Sequence, residues 1–281
     1  MELQQNLEKI RKRGLGVAAI SYDSVGVLST FAQRKGISYP LLSDADSKVI
    51  RAYALLKESV PPGSPQFGIP YPGTFILDAL GTVVSKYFES DFRQRYTASD
   101  ILVRQYGERP GSTSQTVETK HLKLVSSASQ TNVRWGQRIA LTVDIDLKGG
   151  MHVYAPGVDG YIPIDWKIKS APAFTPHEVT YPASQQLYLK PIHETVPVYK
   201  GRFRLVQEIT FGTDEEVKPM LSKDGGLVIE GALRYQACDD RVCYLVQTVP
   251  LKWALHYDEL DRQRVPPRMQ RKAPSPDGDT K

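Results

Sequence analysis

The pattern of hydrophobic and polar positions changes near the middle of the chain. In the first part, apolar residues recur at helical spacing in segments that alternate with short apolar runs. This pattern predicts helices over 1–13, 24–35, 47–56 and 97–106. It predicts strands, the last two of which form a hairpin, over 15–20, 38–42, 74–78 and 82–88. Residues 1–107 are therefore predicted to be an α/β domain.

The second part of the chain has the pattern of an all-β domain. Residues 108–120 are small and polar, and they are expected to form a linker. Beyond them helical periods are absent, and short strands are predicted over 122–125, 138–147, 164–168, 202–211, 227–235 and 247–253. Several such strands in one segment indicate a β-sandwich at 121–257. Residues 258–281 are rich in proline and basic side chains and are predicted to be a disordered basic tail.

Composition and charge narrow the function classes. Hydrophobic residues make up 41% of the chain and charged residues 24%, as in an ordinary globular protein. No apolar run approaches the length of about 18 residues that a transmembrane helix needs, so no transmembrane segment is expected. The net charge is +5, and the tail contains a cluster of basic residues that no aromatic residue accompanies, namely Arg262, Arg264, Arg268, Arg271 and Lys272. A nucleic-acid partner is therefore not expected.

The two cysteines of the chain, Cys238 and Cys243, lie close together in the sequence. On one continuous strand they would point to opposite faces, so a turn is needed to bring them together. The polar residues 239–242 suit such a turn, and two strands joined by it would place the cysteines opposite each other. A redox-active pair is the leading interpretation. A structural disulfide, and free thiols or a metal site, are the alternatives.

Neither a metal nor a cofactor is expected. A zinc site needs about four ligands, and the chain has no further cysteine. The histidines show no metal-ligand spacing; they are His121, His152, His177, His193 and His256. The candidate chemistry therefore depends on the two thiols.

Three motifs in the first part carry a resemblance to a known family. They are Ala18–Asp23, Tyr39–Asp44 and Gly68–Asp78, the last with the sequence Gly-Ile-Pro-Tyr-Pro-Gly-Thr-Phe-Ile-Leu-Asp. With these motifs, residues 1–106 resemble peroxiredoxin-like redoxins of the AhpC/TSA and thioredoxin-like group. The resemblance implies a thioredoxin-like fold, antioxidant-type thiol chemistry and a cis-proline at Pro72 before a sheet strand.

The first part also departs from that family. In the family the first helix begins at a Cys-x-x-Cys or peroxidatic cysteine and follows a central strand, whereas this chain starts inside that helix. Without a thiolate the domain lacks a nucleophile, and without the strand the segments 15–20 and 74–78 lose the neighbour between them. We expect that the native protein is longer and that the preceding stretch carries an export signal, the strand and the Cys-x-x-Cys. The alternative is a redoxin fold kept without chemistry as a docking module.

A second resemblance lies in the β-rich part of the chain. The matching segments are Gly149–Tyr154, Val198–Phe203 and, above all, Tyr235–Tyr244, which contains both cysteines. They resemble the N-terminal periplasmic domain of the DsbD family of thiol:disulfide interchange proteins, an immunoglobulin-like domain. The sequence differs from that family after the second cysteine, where Leu245 and Val246 replace a Pro-Pro pair.

This second resemblance implies a role for the cysteine pair. Cys238 and Cys243 would receive electrons from a thioredoxin-like or redoxin partner and pass them to an oxidised client protein. A cap loop would shield the pair, and 187–198 is the segment expected to form it. The side chains expected to line the site are Tyr154, Tyr235 and Tyr244.

Two functions are consistent with the sequence. The first is a thiol–disulfide oxidoreductase of the antioxidant or redoxin class, acting by dithiol–disulfide exchange in the periplasm or another extracytoplasmic compartment. The second is a non-catalytic protein-binding module with a structural disulfide and a degenerate redoxin domain. The reduction potential of the cysteine pair separates them. The order in which the cysteines attack, and the direction of electron flow, stay open at this stage.

Overall fold

The computed structural model describes residues 2–61, 63–64, 67–88, 94–109, 112–189, 193–259, 261, 263 and 265–269. The chain divides into two compact units. The first is built mainly from Met1–Ala98 and the second from Ser99–Leu260. Short helices and strands alternate in the first unit, whereas strands dominate the second.

The first unit follows the α/β pattern that the sequence predicts. Its helices α1–α4 are Glu2–Gln5, Leu7–Arg11, Val25–Lys35 and Lys48–Ala52. Its strands β1–β5 are Ala19–Ser21, Leu41–Ser43, Gly73–Leu77, Val83–Phe88 and Arg95–Tyr96. Ser24 begins α3 as predicted, because its hydroxyl accepts a hydrogen bond from the Val27 N–H at 3.5 Å. Gly36 ends the same helix in the left-handed region, with a φ of 62°.

The strands β1 to β4 form two separate pairs. β1 lies parallel to β2, and β3 forms the predicted antiparallel hairpin with β4. Within the described ranges no strand joins these two sheets. Large apolar side chains on both pairs are accordingly exposed, among them Ile20, Leu42, Leu77 and Val84.

The expectation of a cis bond between Tyr71 and Pro72 is wrong, because all peptide bonds between described residues are trans. The chain before Pro72 is held in an extended conformation. The Lys57 N–H donates to the Ile69 carbonyl at 2.9 Å, and the Tyr71 N–H donates to the Leu55 carbonyl at 2.7 Å. A trans bond continues this extended segment into β3, and it is the form that X-Pro bonds favour by about 0.5–1 kcal/mol.

The second unit is a mostly β domain, as predicted. Its strands β6–β18 are, in order, Ser112–Glu118, Leu122–Ala128, Asn132–Val133, Gln137–Leu147, His152–Tyr154, Asp165–Ile168, Phe174–Thr180, Gln185–Leu189, Glu194–Lys200, Arg202–Phe211, Gly226–Tyr235, Ala237–Cys238 and Gln247–Tyr257. One sheet has the order β12-β15-β9-β7-β6, a second β11-β16-β18-β8 and a third β13-β14-β10-β17. A short helix, α6, spans Asp214–Val217, and 3-10 turns span Lys218–Met220 and Pro267–Met269.

One hydrophobic core contains side chains from all three of these sheets. Along β18, buried and exposed positions alternate, so that one face of the strand points into the core. Trp253 of this strand stacks on Trp166 with ring centroids 5.5 Å apart. Its indole N–H donates to the Ser127 carbonyl at 3.1 Å. Both tryptophans are therefore core residues with a structural role.

The segment that was expected to be a linker contains a strand. β6 is an edge strand paired antiparallel with β7, and Val117 lies opposite Leu124. The Gln115 side-chain oxygen accepts a hydrogen bond from the Lys252 N–H at 2.9 Å, which ties β6 to β18. An edge strand faces solvent and tolerates polar and β-branched residues, so its composition resembles that of a linker.

The tail predicted at 258–281 is described only in part. Asp258 pairs with Arg134 at 3.2 Å in the second unit, and Asp261 pairs with Arg34 at 3.6 Å in the first. Most of the predicted tail lies outside the described residues, namely positions 260, 262, 264 and 270–281.

Helix α5, Ala98–Tyr106, belongs from Ser99 onward to the second unit, although the sequence pattern assigned it to the first domain. Asp100 on this helix is fully buried beside Glu208 of β15, which itself pairs with Arg104 at 2.8 Å. Burial, followed by the negative charge of Glu208, raises the pKa of the Asp100 carboxyl well above its usual range. The α5–β15 contact is therefore most favourable when Asp100 is protonated.

We expect Asp100→Asn to stabilise the protein more at about pH 8 than at about pH 4.5. A carboxyl whose folded-state pKa is raised stabilises the fold below its unfolded pKa of about 3.9, and this stabilisation is lost as the pH rises through the folded-state pKa. Asparagine has the same shape and no charge to bury. Thermal unfolding across this pH range measures the difference, with the exposed Asp46→Asn as control. A difference in Tm that does not vary with pH would contradict the prediction.

Candidate functional site

The cysteine pair closes a tight turn at the end of β17. Cys238 and Cys243 are joined by a disulfide, with their Cα atoms 4.0 Å apart and their backbones in an antiparallel bridge. The Tyr244 N–H donates to the Ala237 carbonyl at 2.8 Å, which continues the pairing outward. The predicted turn is confirmed, since residues 239–242 reverse the chain between the two cysteines.

Asp239 holds the conformation of this turn. Its Oδ1 accepts hydrogen bonds from the backbone N–H groups of Arg241 and Val242, both at 2.8 Å. Its Oδ2 accepts one from the Tyr244 hydroxyl at 2.8 Å. These donors, Val242 foremost, lower the pKa of the Asp239 carboxyl because they stabilise its charged form. The turn is thus organised by a carboxylate that is ionised at neutral pH.

The two cysteines differ in their exposure. Cys238 is 1% exposed and packs in a small apolar cluster with Tyr154, Val196 and Val198. Cys243, after the turn, is exposed. An incoming thiolate has to reach the sulfur that it attacks, so Cys243 presents the accessible end of the disulfide.

Strand β10 supports the cysteine pair from the third sheet. It lies between β14 and β17, with His152 opposite Cys238 on one side and opposite Lys200 on the other. Residues opposite each other in antiparallel strands project to the same face, so the His152 imidazole lies on the face of the Cys238 side chain. The neighbouring residues Val153 and Ala237 belong to the main core on the other face.

Tyr154 is the predicted lining residue that reaches the disulfide. Its hydroxyl lies 3.8 Å from the Cys243 Sγ. The Tyr161 ring packs on Tyr154 with centroids 4.3 Å apart, and its hydroxyl donates to the Glu194 carboxylate at 2.7 Å. This hydrogen bond raises the pKa of Tyr161 to about 12, and burial raises the pKa of Tyr154. The Tyr154 hydroxyl is therefore protonated at neutral pH and able to donate to a thiolate on Cys243.

The other two predicted tyrosines differ in their surroundings: Tyr244 lies at the turn, and Tyr235 lies in the main core. Tyr244 holds the turn through Asp239 and packs against His121, with ring centroids 4.5 Å apart. Tyr235 is fully buried in the core, where its hydroxyl donates to the Gln247 side chain at 2.6 Å. The expectation that Tyr235 lines the site is therefore corrected, because the alternation along β16 turns its side chain inward.

The hairpin of β13 and β14 flanks the disulfide in the region predicted to be a cap loop. Leu187 and Leu189 pack against the apolar cluster around Cys238. Residues 190–192, in the middle of the predicted cap, lie outside the described residues. The described part of the hairpin thus shelters Cys238, while Cys243 stays exposed.

Three further side chains at the site were not predicted, namely His152, Tyr161 and Glu194. His152 precedes Tyr154 by two positions, so strand alternation was a signal that both lie on one face. Tyr161 and Glu194 come from a loop and from a neighbouring strand. No spacing in the sequence connects these two residues with the cysteines.

The described part of the chain shows neither a metal-binding cluster nor a membrane-spanning helix. It contains no group of three or more His, Cys, Asp or Glu side chains that could hold a metal ion. No helix within the described ranges is both long enough and apolar enough to cross a membrane.

Comparison with known proteins identifies two families along the chain. Residues 1–86 match the AhpC/TSA family. Residues 120–252 match the N-terminal domain of the thiol:disulfide interchange protein DsbD. The chain therefore joins a thioredoxin-like redoxin segment to a mostly β, immunoglobulin-like domain of the DsbD N-terminal type.

The matched relatives are peroxiredoxins. A protein of Mycobacterium tuberculosis named as a peroxiredoxin is 34% identical over 83 residues, which are 30% of this chain and 52% of that protein. Peroxiredoxin Bcp of Xanthomonas campestris is 33% identical over 81 residues, which are 29% of this chain and 50% of that protein. The chain thus spans about half the length of the curated relatives it matches.

A solved structure is also similar to part of the chain. It is the N-terminal periplasmic domain of ScsB from Proteus mirabilis, with 12% identity, a TM-score of 0.36 and a match that covers 50% of each chain. At that score the likeness supports no functional argument.

We expect Asp239→Ala to make the disulfide easier to reduce. The variant removes the acceptor of two backbone hydrogen bonds and of the Tyr244 hydrogen bond, so the closed turn loses stability relative to the open dithiol. Loss of one hydrogen bond changes an equilibrium by about fivefold, so the exchange equilibrium with glutathione should shift at least that far toward the dithiol. Trapping of free thiols after equilibration measures the shift. An equal shift in the neighbouring control variant Asp240→Ala would contradict the role of Asp239.

Proposed function

We propose that this chain is a thiol–disulfide oxidoreductase whose working group is the Cys238–Cys243 disulfide. The observation that carries the proposal is the unequal exposure of the two cysteines within one preformed turn. Two-step exchange needs one sulfur that a partner can attack and a second, sheltered sulfur that leaves and returns. The two family matches support the same general class of reaction.

Reduction of the chain begins at Cys243. A partner thiolate attacks the Cys243 sulfur and forms a mixed disulfide, and the Cys238 sulfur leaves as a thiolate that takes up a proton. The partner's second thiolate then attacks its own sulfur in the mixed disulfide and releases Cys243 as a thiolate. Two electrons pass from the partner dithiol to this chain, and the partner carries a new disulfide.

The reduced pair passes these electrons to an oxidised client. The Cys243 thiolate attacks the client disulfide, and Cys238 resolves the mixed disulfide, so that the client leaves as a dithiol and the ring closes. The Tyr154 hydroxyl, at 3.8 Å from the Cys243 Sγ, would donate a hydrogen bond to the waiting thiolate. Cys243 therefore attacks first in this account, and Cys238 is the resolving cysteine.

We infer that the electron donor is a thioredoxin-like or redoxin protein or domain. Residues 1–86 contain no cysteine in this sequence, so this segment supplies no thiolate of its own. Linking a redoxin-type unit to the β-domain would raise the local concentration of a redox partner to roughly millimolar. The same proposal includes a role in the antioxidant class. It also includes a periplasmic or other extracytoplasmic location, because disulfides persist in oxidising compartments.

A protein-binding module with a structural disulfide is the second candidate function. The burial of Cys238 in an apolar cluster is the observation in its favour. However, in the chain-entropy account so short a ring stabilises a fold by only about 2 kcal/mol, which is less than a long loop provides. The exposure of Cys243 also allows a partner thiolate to reach the disulfide, whereas a structural disulfide does not need to be accessible.

We expect the two single-cysteine variants to differ in reactivity. In Cys238→Ser the remaining thiol is exposed, and it should form a mixed disulfide with an oxidised thioredoxin. In Cys243→Ser the remaining thiol is buried, and the same reaction should be slower by about tenfold or more. Alkylation at timed intervals, followed by non-reducing electrophoresis, measures both rates.

Denaturant-unfolded samples of the same variants are the control, because both thiols are then equally accessible. Equal rates in the folded variants would contradict the proposed order of attack. Failure of both folded variants to form any mixed disulfide, while the unfolded ones react, would favour the binding module.

A further inference from the structure

His152 stands opposite the residue that carries the buried sulfur of the cysteine pair. It is 2% exposed and stands opposite Cys238 across β10 and β17, where Cβ atoms are about 4.5–5.5 Å apart. Its ring meets the Tyr154 ring edge-on, with centroids 5.6 Å apart, and the Tyr154 hydroxyl in turn contacts Cys243. The imidazole therefore shares one sheet face with the groups that take part in exchange.

One nitrogen of this imidazole is not used by the fold. The His152 Nε2 is buried and has no hydrogen-bond partner among the described residues. A polar atom withdrawn from water without a partner destabilises an inert core. On the same sheet face as a cysteine that must lose a proton before it can react, an imidazole nitrogen without a partner is a candidate proton acceptor.

Burial and the charge of Lys200 favour the neutral form of His152. Lys200 lies across from it on β14, and Asp239 and Asp240 approach from the turn. Burial, followed by the charge of Lys200, lowers the pKa of His152, and the two carboxylates oppose this shift. At neutral pH the imidazole is therefore able to accept a proton.

The two cysteines differ in their need for such an acceptor. Cys243 is exposed and can release its proton to water. Cys238 is enclosed by apolar side chains, and burial disfavours a thiolate. A buried cysteine reacts slowly unless a nearby base takes its proton.

We propose that His152 accepts the proton of the Cys238 thiol when the reduced pair closes. The inference rests on the proposed exchange function and adds the route of the proton. After Cys243 has formed a mixed disulfide with a client, Cys238 gives its proton to the His152 Nε2 and its thiolate attacks the Cys243 sulfur. The client sulfur leaves as a thiolate. The client disulfide has gained two electrons, the cysteine pair has lost them, and the imidazolium returns its proton to the client thiolate or to water.

One assay separates the two steps in the full chain. When the reduced protein reacts with 5,5′-dithiobis(2-nitrobenzoate), the attack by Cys243 releases one coloured thiolate, and ring closure by Cys238 releases a second. We expect His152→Gln to slow the second release by about tenfold or more near pH 6.5 and to leave the first unchanged. The half-buried His177→Gln is the matched control and should behave as the wild type in both phases.

The pH profile of the second release distinguishes a proton acceptor from a merely structural residue. In the wild type this release should persist to about pH 6, whereas in His152→Gln it should fall about tenfold per pH unit below the usual thiol pKa of about 8.5. Lys200→Gln removes the neighbouring positive charge, so it should move the acid end of the wild-type profile to higher pH.

Two results would overturn the inference without touching the exchange function. The first is the same second-release profile in the wild type and in His152→Gln. The second is a wild-type rate of second release that already falls tenfold per pH unit below the usual thiol pKa of about 8.5. This result would exclude His152 as the proton acceptor even if the variant does not fold. If the wild type releases no second thiolate at any pH, the exchange function itself fails, and the role of His152 fails with it.

Discussion

The pairing of β10 with β17 is the contact on which the site depends. It sets His152 opposite Cys238 and brings Tyr154 onto the same face. A slip of one residue in this register would exchange these side chains with Val153 and Ala237, which now fill the main core. The apolar core of the β-domain therefore does more than stabilise the fold, because it determines which side chains stand beside the sulfurs.

Unequal burial of the cysteines follows from the same pairing. Cys238 belongs to a paired strand and is enclosed by the apolar cluster, whereas Cys243 follows the turn and is exposed. The contacts of Asp239 favour the closed form of that turn, so they stabilise the disulfide relative to the open dithiol. In the proposed exchange, Cys243 is therefore the sulfur that a partner attacks, and Cys238 is the sulfur that leaves and returns.

Local signals in the sequence were sufficient for part of this picture. Ser24 and Gly36 mark the ends of α3, and the polar residues between the cysteines indicate the turn. Features that depend on contacts between residues distant in the sequence could not be predicted from such local signals. The isomer at Pro72 depends on a segment paired with distant backbone, and the inward direction of Tyr235 depends on the register of β16. β6 was missed because an exposed edge strand and a linker can have the same composition.

The reduction potential of the Cys238–Cys243 pair tests the central claim most directly. The full chain is equilibrated in glutathione buffers of graded ratio, and its free thiols are trapped and counted. An exchanging pair should titrate within the range of dedicated oxidoreductases, between about −270 and −120 mV. A bond that stays oxidised throughout, with a potential below about −300 mV, would contradict the account and indicate a structural disulfide.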